Sequence, residues 1–416
     1  MGEEQTGEDR ALVRTRRLLI ALLFFGTIIN YIDRQVLSLL KPTISAEYGW
    51  GDAEFAHFAS ASQLAAAGAL LFVGWIIDRF GVRLAYGSAV ALWSIAGMAH
   101  AAAATVGQFV GARVALVAFE AVNTPAVVKA AAQFLPIRQR TMAMGIVNTA
   151  PNIGNILAPL TVVPFAVVFG WKAAFIVTGL LGFIWLAFWI AGTRRLRPLP
   201  RAAAAVDGTP ARSSYGEALR DRKTWAIAGA KAITDMFWWF FTFWLPDLFT
   251  KVFKLSQSEL IGPTALAFTL AALGALFAGR LFGLLLGTGR TVNSARKTGM
   301  LLFACVILPI PLALTVESAW TAAAIIGLGL FAHQGFSTNI FGFAADAIPA
   351  RRVATVMAIG AIAGNLAGFG IQEATGALLT AGMGYAPLFW AAAVAYLLAL
   401  GWIHLLVPQI VAEDEA

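Results

Sequence analysis

Four charged residues lie inside two long apolar stretches in the first third of the chain. Asp33 and Arg34 interrupt the first stretch, and Arg113 and Glu120 share a helical face in the fourth. An arginine can hold a carboxylate through two parallel hydrogen bonds. Burial and a nearby arginine shift the pKa of a carboxylic acid in opposite directions, which suits an acid that loads and releases a proton. We predict anion binding by Arg34, proton exchange by Asp33 and Glu120, and a charge network with Arg113; structural ion pairs are the alternative.

Neutral polar side chains interrupt other apolar stretches. Amides and hydroxyls could bind the hydroxyl groups of a ligand, and a tryptophan could stack on it. Such groups also serve inside membranes to join helices or to anchor them at the interface. The candidate binding residues are Gln63, Asn148, Asn152, Trp239, Ser337, Asn339 and Asn365.

The composition indicates a membrane protein. Apolar residues make up 59% of the 416 residues and charged residues only 12%, which is too little polar surface for a soluble globule. The first apolar run is too long for a secretory signal peptide and contains Asp33 and Arg34, so it is a retained helix. Similar apolar runs recur along the whole chain, and each is long enough to cross a hydrocarbon core of ~30 Å. We predict an all-α membrane protein with twelve transmembrane helices over 17–40, 55–77, 83–106, 108–132, 139–166, 171–193, 223–249, 258–287, 295–316, 319–346, 351–381 and 385–408.

Lysine and arginine indicate the orientation of the helices. Most of the 30 basic residues fall at the N terminus and in the loops after even-numbered helices, while Lys41, Lys172, Lys251 and Lys254 are assigned to the opposite side. Short loops rich in basic residues stay in the cytoplasm. We predict a multi-pass protein of the cytoplasmic (inner) membrane with both termini in the cytoplasm.

A repeated segment divides the chain into two halves. The residues that follow Pro136 resemble those that follow Pro349, about half a chain length later. Two pseudo-symmetric six-helix bundles around a central site are typical of carriers that alternate access between the two sides of a membrane. We predict an N-terminal bundle over 1–193, a cytoplasmic linker over 194–222 and a C-terminal bundle over 223–416.

A charged loop follows the second predicted helix. Gly74, Asp78, Arg79, Gly81 and Arg83 resemble the signature between helices 2 and 3 of the major facilitator superfamily. Ordinary positive-inside residues would account for the arginines but not for Asp78 at that spacing. We expect Gly74 to let helices pack closely, and Asp78 to form with the arginines a charge lock that breaks when the halves rock.

Other segments resemble the anion:cation symporter family of this superfamily, near its hexuronate and galactonate transporters. The resemblance covers nearly the whole chain and implies a major facilitator fold. It also implies a proton-coupled symporter that imports a small organic anion, with a hexuronate or similar sugar acid as the first candidate. In such a protein Arg34 would bind the anion, and Asp33 and Glu120 would carry protons. The segments are 30–35, 119–121, 231–235, 237–240, 243–246, 292–297 and 332–339.

One position departs from that family. Its members usually have a tyrosine in helix 2 where this chain has Ala66. A hydroxyl that would bind the substrate is replaced by space. An aromatic or aliphatic monocarboxylate is therefore the alternative substrate.

Several other classes of protein lack support in the sequence. The single cysteine, Cys305, and four scattered histidines favour no metal site. No nucleophile and base are paired as in an enzyme, and no phosphate-binding loop indicates an ATP-driven pump. The positive charge is spread over membrane-facing loops, so no nucleic acid partner is expected. We expect a monomer with no cofactor beyond the coupling proton.

Overall fold

The computed structural model describes residues 2–194, 196 and 215–409. These residues form helices joined by short turns. The first seven are Gly2–Tyr48, Asp52–Ala99, Val106–Glu120, Asn123–Phe134, Ile137–Val147, Ala150–Phe169 and Trp171–Thr193. The others are Tyr215–Arg220, Arg222–Phe253, Ile261–Gly287, Val292–Ile307, Ala319–Ala347, Ala350–Thr380 and Ala386–Leu406, and single 3₁₀ turns form at His100–Ala102 and Ile310–Leu314.

The described helices supply twelve membrane crossings. Ten helical segments are long and apolar enough to span a bilayer, and one of them, Asp52–Ala102, has 51 residues and is broken at Gly81 into helices 2 and 3. The remaining crossing is Arg222–Phe253, where charged residues lower the mean hydropathy. The predicted all-α fold of twelve transmembrane helices is thus confirmed.

The membrane-spanning helices are numbered in chain order. Besides helices 2 and 3, helix 1 is Gly2–Tyr48, helix 4 is Val106–Phe134, helix 5 is Met142–Phe169, helix 6 is Trp171–Thr193 and helix 7 is Arg222–Phe253. Helices 8 to 12 are Ile261–Gly287, Val292–Leu314, Ala319–Ala347, Ala350–Thr380 and Ala386–Leu406.

Gly81 separates helix 2 from helix 3. Its φ of 75° and ψ of 151° lie outside the helical region. Residues with a side chain rarely adopt a positive φ, whereas glycine does so at little cost. The glycine of the charged loop therefore sets the turn between two crossings that would otherwise form one continuous helix.

Close helix packing occurs at a different glycine from the one expected. A Cβ atom added to Gly74 would meet no other atom within 4 Å, so the packing role expected for this glycine is wrong. At Gly154 of helix 5, an added Cβ would lie 2.7 Å from the Tyr31 Cβ and 2.9 Å from the Ile28 carbonyl oxygen. Any side chain there would push helix 1 away from helix 5. It would also displace Arg34, which lies about one turn after Tyr31 on helix 1.

The two halves carry equivalent features. Arg296 at the start of helix 9 pairs with Asp346 of helix 10, with Nε and Oδ2 2.8 Å apart. Arg83 at the start of helix 3 lies 5.0 Å from the ring centre of Phe134 in helix 4. The two arginines are separated by the same sequence interval as Pro136 and Pro349, as expected for pseudo-symmetric bundles.

Apolar packing forms two hydrophobic cores. One lies within the first half, around Tyr86, Trp93 and Trp189, and the other contains residues of both halves, including Ile32 and Phe237. The division into bundles over 1–193 and 223–416 stays a prediction. Most of the predicted linker, 194–222, lies outside the described residues.

Candidate functional site

A small cavity lies between the two halves. Its volume is about 20 Å³, which leaves room for about one water molecule. A larger ligand can enter only if the surrounding helices separate. The lining residues come from helices 1, 2, 4, 7 and 11 and are Arg34, Ser62, Gln63, Ala66, Arg113, Val117, Trp239, Thr242, Phe243 and Asn365.

Arg34 and Glu120 form an ion pair at this cavity. The Nε atom of Arg34 donates to Oε2 of Glu120 over 3.2 Å, and the two side chains are 21% and 0% exposed. Glu120 ends the first part of helix 4, just before the helix is interrupted at residues 121–122. Its other oxygen, Oε1, is buried without a hydrogen-bond partner. The carboxylate that binds the arginine therefore has a hydrogen-bond partner for only one of its two oxygens.

Arg113 of helix 4 contacts Arg34 and helps to hold it in position. It is buried, its Nε donates to the Ser62 hydroxyl over 2.8 Å, and its Nη2 donates to the backbone carbonyl of Arg34 over 3.1 Å. Its guanidinium carbon lies 5.5 Å from the ring centre of Phe243 in helix 7. The Nη1 group is buried without a partner. Arg113 thus contacts helices 1, 2 and 7 and keeps one donor free beside the cavity.

Asp33 faces away from Arg34. Successive residues of a helix point about 100° apart, and the buried Asp33 carboxyl lies beside Thr178 of helix 6. Its Oδ2 atom is buried without a hydrogen-bond partner. It is close enough to Glu120 and Arg113 to interact with both electrostatically. The two predicted acids and two arginines therefore form one group of charges, although Asp33 does not line the cavity.

Four of the predicted ligand-binding residues line the cavity: Arg34, Gln63, Trp239 and Asn365. The Oε1 atom of Gln63 is buried without a partner, so a ligand hydroxyl that donated to it would remove an unfavourable feature. The Nδ2 group of Asn365 donates to the backbone carbonyl of Ala361 over 2.8 Å. The cavity therefore offers an aromatic wall, two amides and a charged anchor.

The other four predicted residues do not line it. Asn148 is exposed on helix 5, and Ser337 is half-buried on helix 10. Asn152 accepts a hydrogen bond of 3.5 Å from Gln334. Asn339 is buried and donates to a backbone carbonyl one turn earlier in helix 10. These four contribute no wall to the cavity in this conformation, and their role in binding stays a prediction.

Sequence reasoning missed four lining residues. Thr242 and Phe243 lie about one turn beyond Trp239, so helical spacing could have identified them. Val117 lies one turn beyond Arg113 in helix 4, so the same spacing could have identified it, whereas Ser62 carried no comparable signal. Their contribution depends on how helices 2 and 4 pack against each other.

The charge lock expected in the loop between helices 2 and 3 has a different partner. Asp78 pairs with Lys129 of helix 4, not with Arg79 or Arg83. Arg83 lies against an aromatic ring, and its Nε and Nη2 atoms are buried without partners. Asp78 and Lys129 belong to the same half of the chain. Their pair therefore joins two helices of one half and does not bridge the halves, contrary to our expectation.

Four charged residues join the halves at the opposite end of the molecule, and we call them the end cluster. Nζ of Lys41 lies 2.7 Å from Oδ1 of Asp52 and 2.8 Å from Oδ1 of Asp247, and Lys251 pairs with both acids. Lys41 and Lys251 are helical, because helices 1 and 7 extend beyond the predicted spans that end at residues 40 and 249. The hydroxyl of Tyr385 also donates to Asp247. The cluster ties helices 1 and 2 to helix 7.

Two further contacts close the same end. The Thr43 hydroxyl donates to Oε1 of Gln257 over 3.1 Å. His57 and Ser60 of helix 2 both contact the carboxylate of Glu373 in helix 11. Through these contacts Glu373 joins the two halves.

These features define a membrane transporter. Charged and amide side chains surround a cavity between two pseudo-symmetric sets of transmembrane helices, and polar contacts hold the sets together at one end. This is the arrangement of carriers that bind solutes near the middle of the membrane.

The chain belongs to the Major Facilitator Superfamily, whose sequence pattern matches residues 23–372. It is 27% identical over 401 residues to the hexuronate transporter of Escherichia coli (strain K12), covering 92% of each chain. It is 29% identical over 365 residues to the probable L-galactonate transporter of the same strain, covering 83% of this chain and 79% of the relative. The predicted resemblance is confirmed, and the chain is a transporter, not an enzyme.

The fold is also that of solved transporters. A bacterial homolog of the human lysosomal transporter Spinster, in its inward-facing and occupied conformation, superposes with a TM-score of 0.73. The match covers 94% of this chain and 97% of the other, at 17% sequence identity. At this identity the likeness concerns the fold alone.

Proposed function

We propose that the protein is a proton-coupled symporter that imports a small organic anion, with a hexuronate or a related sugar acid as the first candidate. The Arg34–Glu120 ion pair at the cavity carries this proposal. Relatives named as hexuronate and galactonate transporters support the sugar-acid class. The excess of basic residues at one face supports a place in the cytoplasmic membrane with both termini inside.

Competition for Arg34 would couple the proton to the anion. While Glu120 is ionised, it occupies the arginine. Protonation removes its charge and weakens this pair, so a substrate carboxylate can take the guanidinium. The proton on Glu120 then compensates the negative charge of the anion while both cross. This avoids the cost of moving an uncompensated charge through a low-dielectric interior.

Asp33 is the second proton carrier in this proposal. It is buried next to the same charges and has an oxygen without a hydrogen-bond partner. It does not contact Arg34, so it would act through the field at Glu120 and Arg113. Its protonation would lower the negative charge of the group before the substrate binds.

Access would alternate between the two ends of the molecule. A cavity of about 20 Å³ cannot hold a sugar acid, so the halves must separate for loading and for release. The end cluster holds one end shut. Its contacts would break when the protein opens there, and the bundles over 1–193 and 223–416 would move as units connected by the linker.

Uptake into proteoliposomes tests this function. Radiolabelled glucuronate should accumulate when the outside is more acidic than the lumen, and a protonophore should abolish accumulation. Unlabelled galacturonate and galactonate should compete. If no carboxylate accumulates in response to a pH gradient, proton symport is refuted.

Ala66 favours a second candidate substrate. It lines the cavity, and its methyl group offers no hydrogen bond to a ligand hydroxyl. A missing partner for one hydroxyl costs about 1 kcal/mol, and more if the hydroxyl stays buried and unpaired. An aromatic or aliphatic monocarboxylate would suit this wall better. If such acids compete for uptake and no uronate or aldonate does, the sugar-acid assignment falls while anion symport stands.

A further inference from the structure

Another buried ion pair lies in the C-terminal half, away from the cavity and the end cluster. Nζ of Lys231 is 2.7 Å from Oδ2 of Asp235, one turn later on helix 7, and the side chains are only 8% and 16% exposed. An ionisable side chain at membrane depth costs several kcal/mol, so it normally serves a polar path or site. The proposed coupling at Arg34 and Glu120 makes no use of this pair.

The pair lies on the helix 7 face that leads to the cavity. Lys231, Asp235 and Trp239 are spaced by one turn each, and Trp239 lines the cavity. Helix 11 faces them with Gly360 and Gly364. An added Cβ would lie 2.9 Å from Cδ of Lys231 at Gly360 and 2.5 Å from Oδ2 of Asp235 at Gly364. Helix 11 therefore leaves space for these two side chains, and a polar strip continues from the cavity along helix 7.

The strip runs toward the end opposite the end cluster. Lys231 is eight residues, or about 12 Å, before Trp239, whereas Asp247 lies eight residues beyond it. Lys231 therefore lies on the far side of Trp239 from the end cluster, in the direction in which an anion bound at Arg34 would leave if it entered past the end cluster. Lys231 also lies 5.3 Å from the ring centre of Phe341 in helix 10.

A rigid polar wall holds the pair from the other side. His333 of helix 10 interacts electrostatically with Asp235 and Lys231. Its Nδ1 is 2.8 Å from the hydroxyl of Tyr396, and its ring stacks on Trp238 at 5.0 Å. The imidazole is fixed by both contacts and cannot follow a passing ligand. Only the long lysine side chain is free to exchange its partner.

From this geometry we infer that Lys231 is a second, transient binding station for the carboxylate of the transported anion. The inference rests on the proposed anion transport and adds its release step. Because Asp235 already neutralises Lys231, the station attracts an anion less strongly than an unpaired lysine would. It would accept the carboxylate in exchange for Asp235 and then release it. Lys231 thereby lowers the electrostatic barrier between Arg34 and the exit without retaining the substrate.

Transport kinetics of four variants in proteoliposomes test this role, with glucuronate as the probe. Asp235→Asn leaves Lys231 unpaired, so the anion should be retained. We expect kcat and KM to fall together, each by about tenfold. The neutral double variant Lys231→Met with Asp235→Asn should keep KM within about twofold of wild type and lower kcat severalfold. Lys231→Arg keeps the charge and should transport within about threefold of wild type.

The matched control is Lys297→Met, because that lysine bonds backbone carbonyls at the end of helix 12 and lies off the strip. It should leave kcat and KM each within about twofold of wild type. If the neutral double variant transports with wild-type kcat and KM, the pair only packs helices 7 and 11 and the inference is overturned. Loss of uptake in Asp235→Asn without any fall in KM also overturns it. If wild type itself accumulates no carboxylate, the proposed function fails first, which is a distinct result.

Discussion

Replacing Lys41 by methionine should open the end of the molecule that carries the end cluster. Lys41 is 3% exposed and lies within 2.8 Å of two carboxylates, Asp52 and Asp247. Methionine has similar length and no charge. After the substitution Lys251 alone faces both acids, which leaves one buried negative charge without compensation.

The expected size of the effect follows from burial. Removing one partner of a buried ion pair costs about 3–5 kcal/mol, because a charge is left unpaired. Lys251 is 42% exposed and still contacts both acids, so the lower part of that range applies. Water reaches the acids once the end opens, so the penalty falls only on the closed conformation. About 3 kcal/mol would change the ratio of open to closed molecules by about a hundredfold.

Distances between spin labels can measure this change. Ala46 at the end of helix 1 and Ser258 before helix 8 are exposed and belong to different halves. Cysteines at both positions, in a background with Cys305→Ala, place one label on each side of the closed end. The Lys41→Met distance distribution should shift toward a longer component that is minor in the otherwise unchanged protein.

Two variants serve as controls. Lys172 and Glu47 form a pair at 4.0 Å within one half, with side chains 53% and 46% exposed. Lys172→Met should leave the distances unchanged, because exposed pairs contribute ~1 kcal/mol or less. Lys41→Met combined with Asp247→Asn restores charge balance and should recover much of the closed population. If Lys41→Met gives the same distribution as Lys172→Met, the end cluster does not hold this end shut and the reasoning is refuted.

Three further predictions concern the cavity. Arg34→Lys keeps the charge and loses the planar fork of the guanidinium, so the affinity for the anion, measured by isothermal titration, should fall at least tenfold. Arg79→Lys in the exposed loop should leave that affinity unchanged, and an Arg34→Lys affinity within twofold of wild type would exclude Arg34 as the anchor. Glu120→Gln should still exchange labelled for unlabelled substrate but should not concentrate it in a pH gradient, and accumulation in both this variant and Asp33→Asn would move coupling elsewhere. Ala66→Tyr restores a hydroxyl at the cavity and should raise the preference for glucuronate over an aliphatic acid about fivefold in competition assays; an unchanged preference would mean that position 66 does not select the substrate.

The class of protein, its helices and its main charged residues could be predicted from the sequence. The thickness of the bilayer sets the length of an apolar run that can cross it. The number of crossings can therefore be counted as the number of such runs in the sequence. Charges inside such runs are costly, so Arg34, Arg113 and Glu120 identify themselves as functional candidates before any contact is known. The repeat around Pro136 and Pro349 likewise predicts two related halves.

Which charges form pairs depends on how the helices pack and could not be predicted from the sequence. Arg34 and Glu120 are 86 positions apart, and Asp33 was an equally charged candidate much nearer in sequence. Coulomb attraction does not distinguish one carboxylate from another; the packing of helices 1 and 4 does, since it brings one acid within hydrogen-bond distance and turns the other toward helix 6. For the same reason Asp78 meets Lys129 rather than an arginine of its own loop. Partner choice depends on helix rotation and spacing, and those are fixed by contacts between residues far apart in the chain.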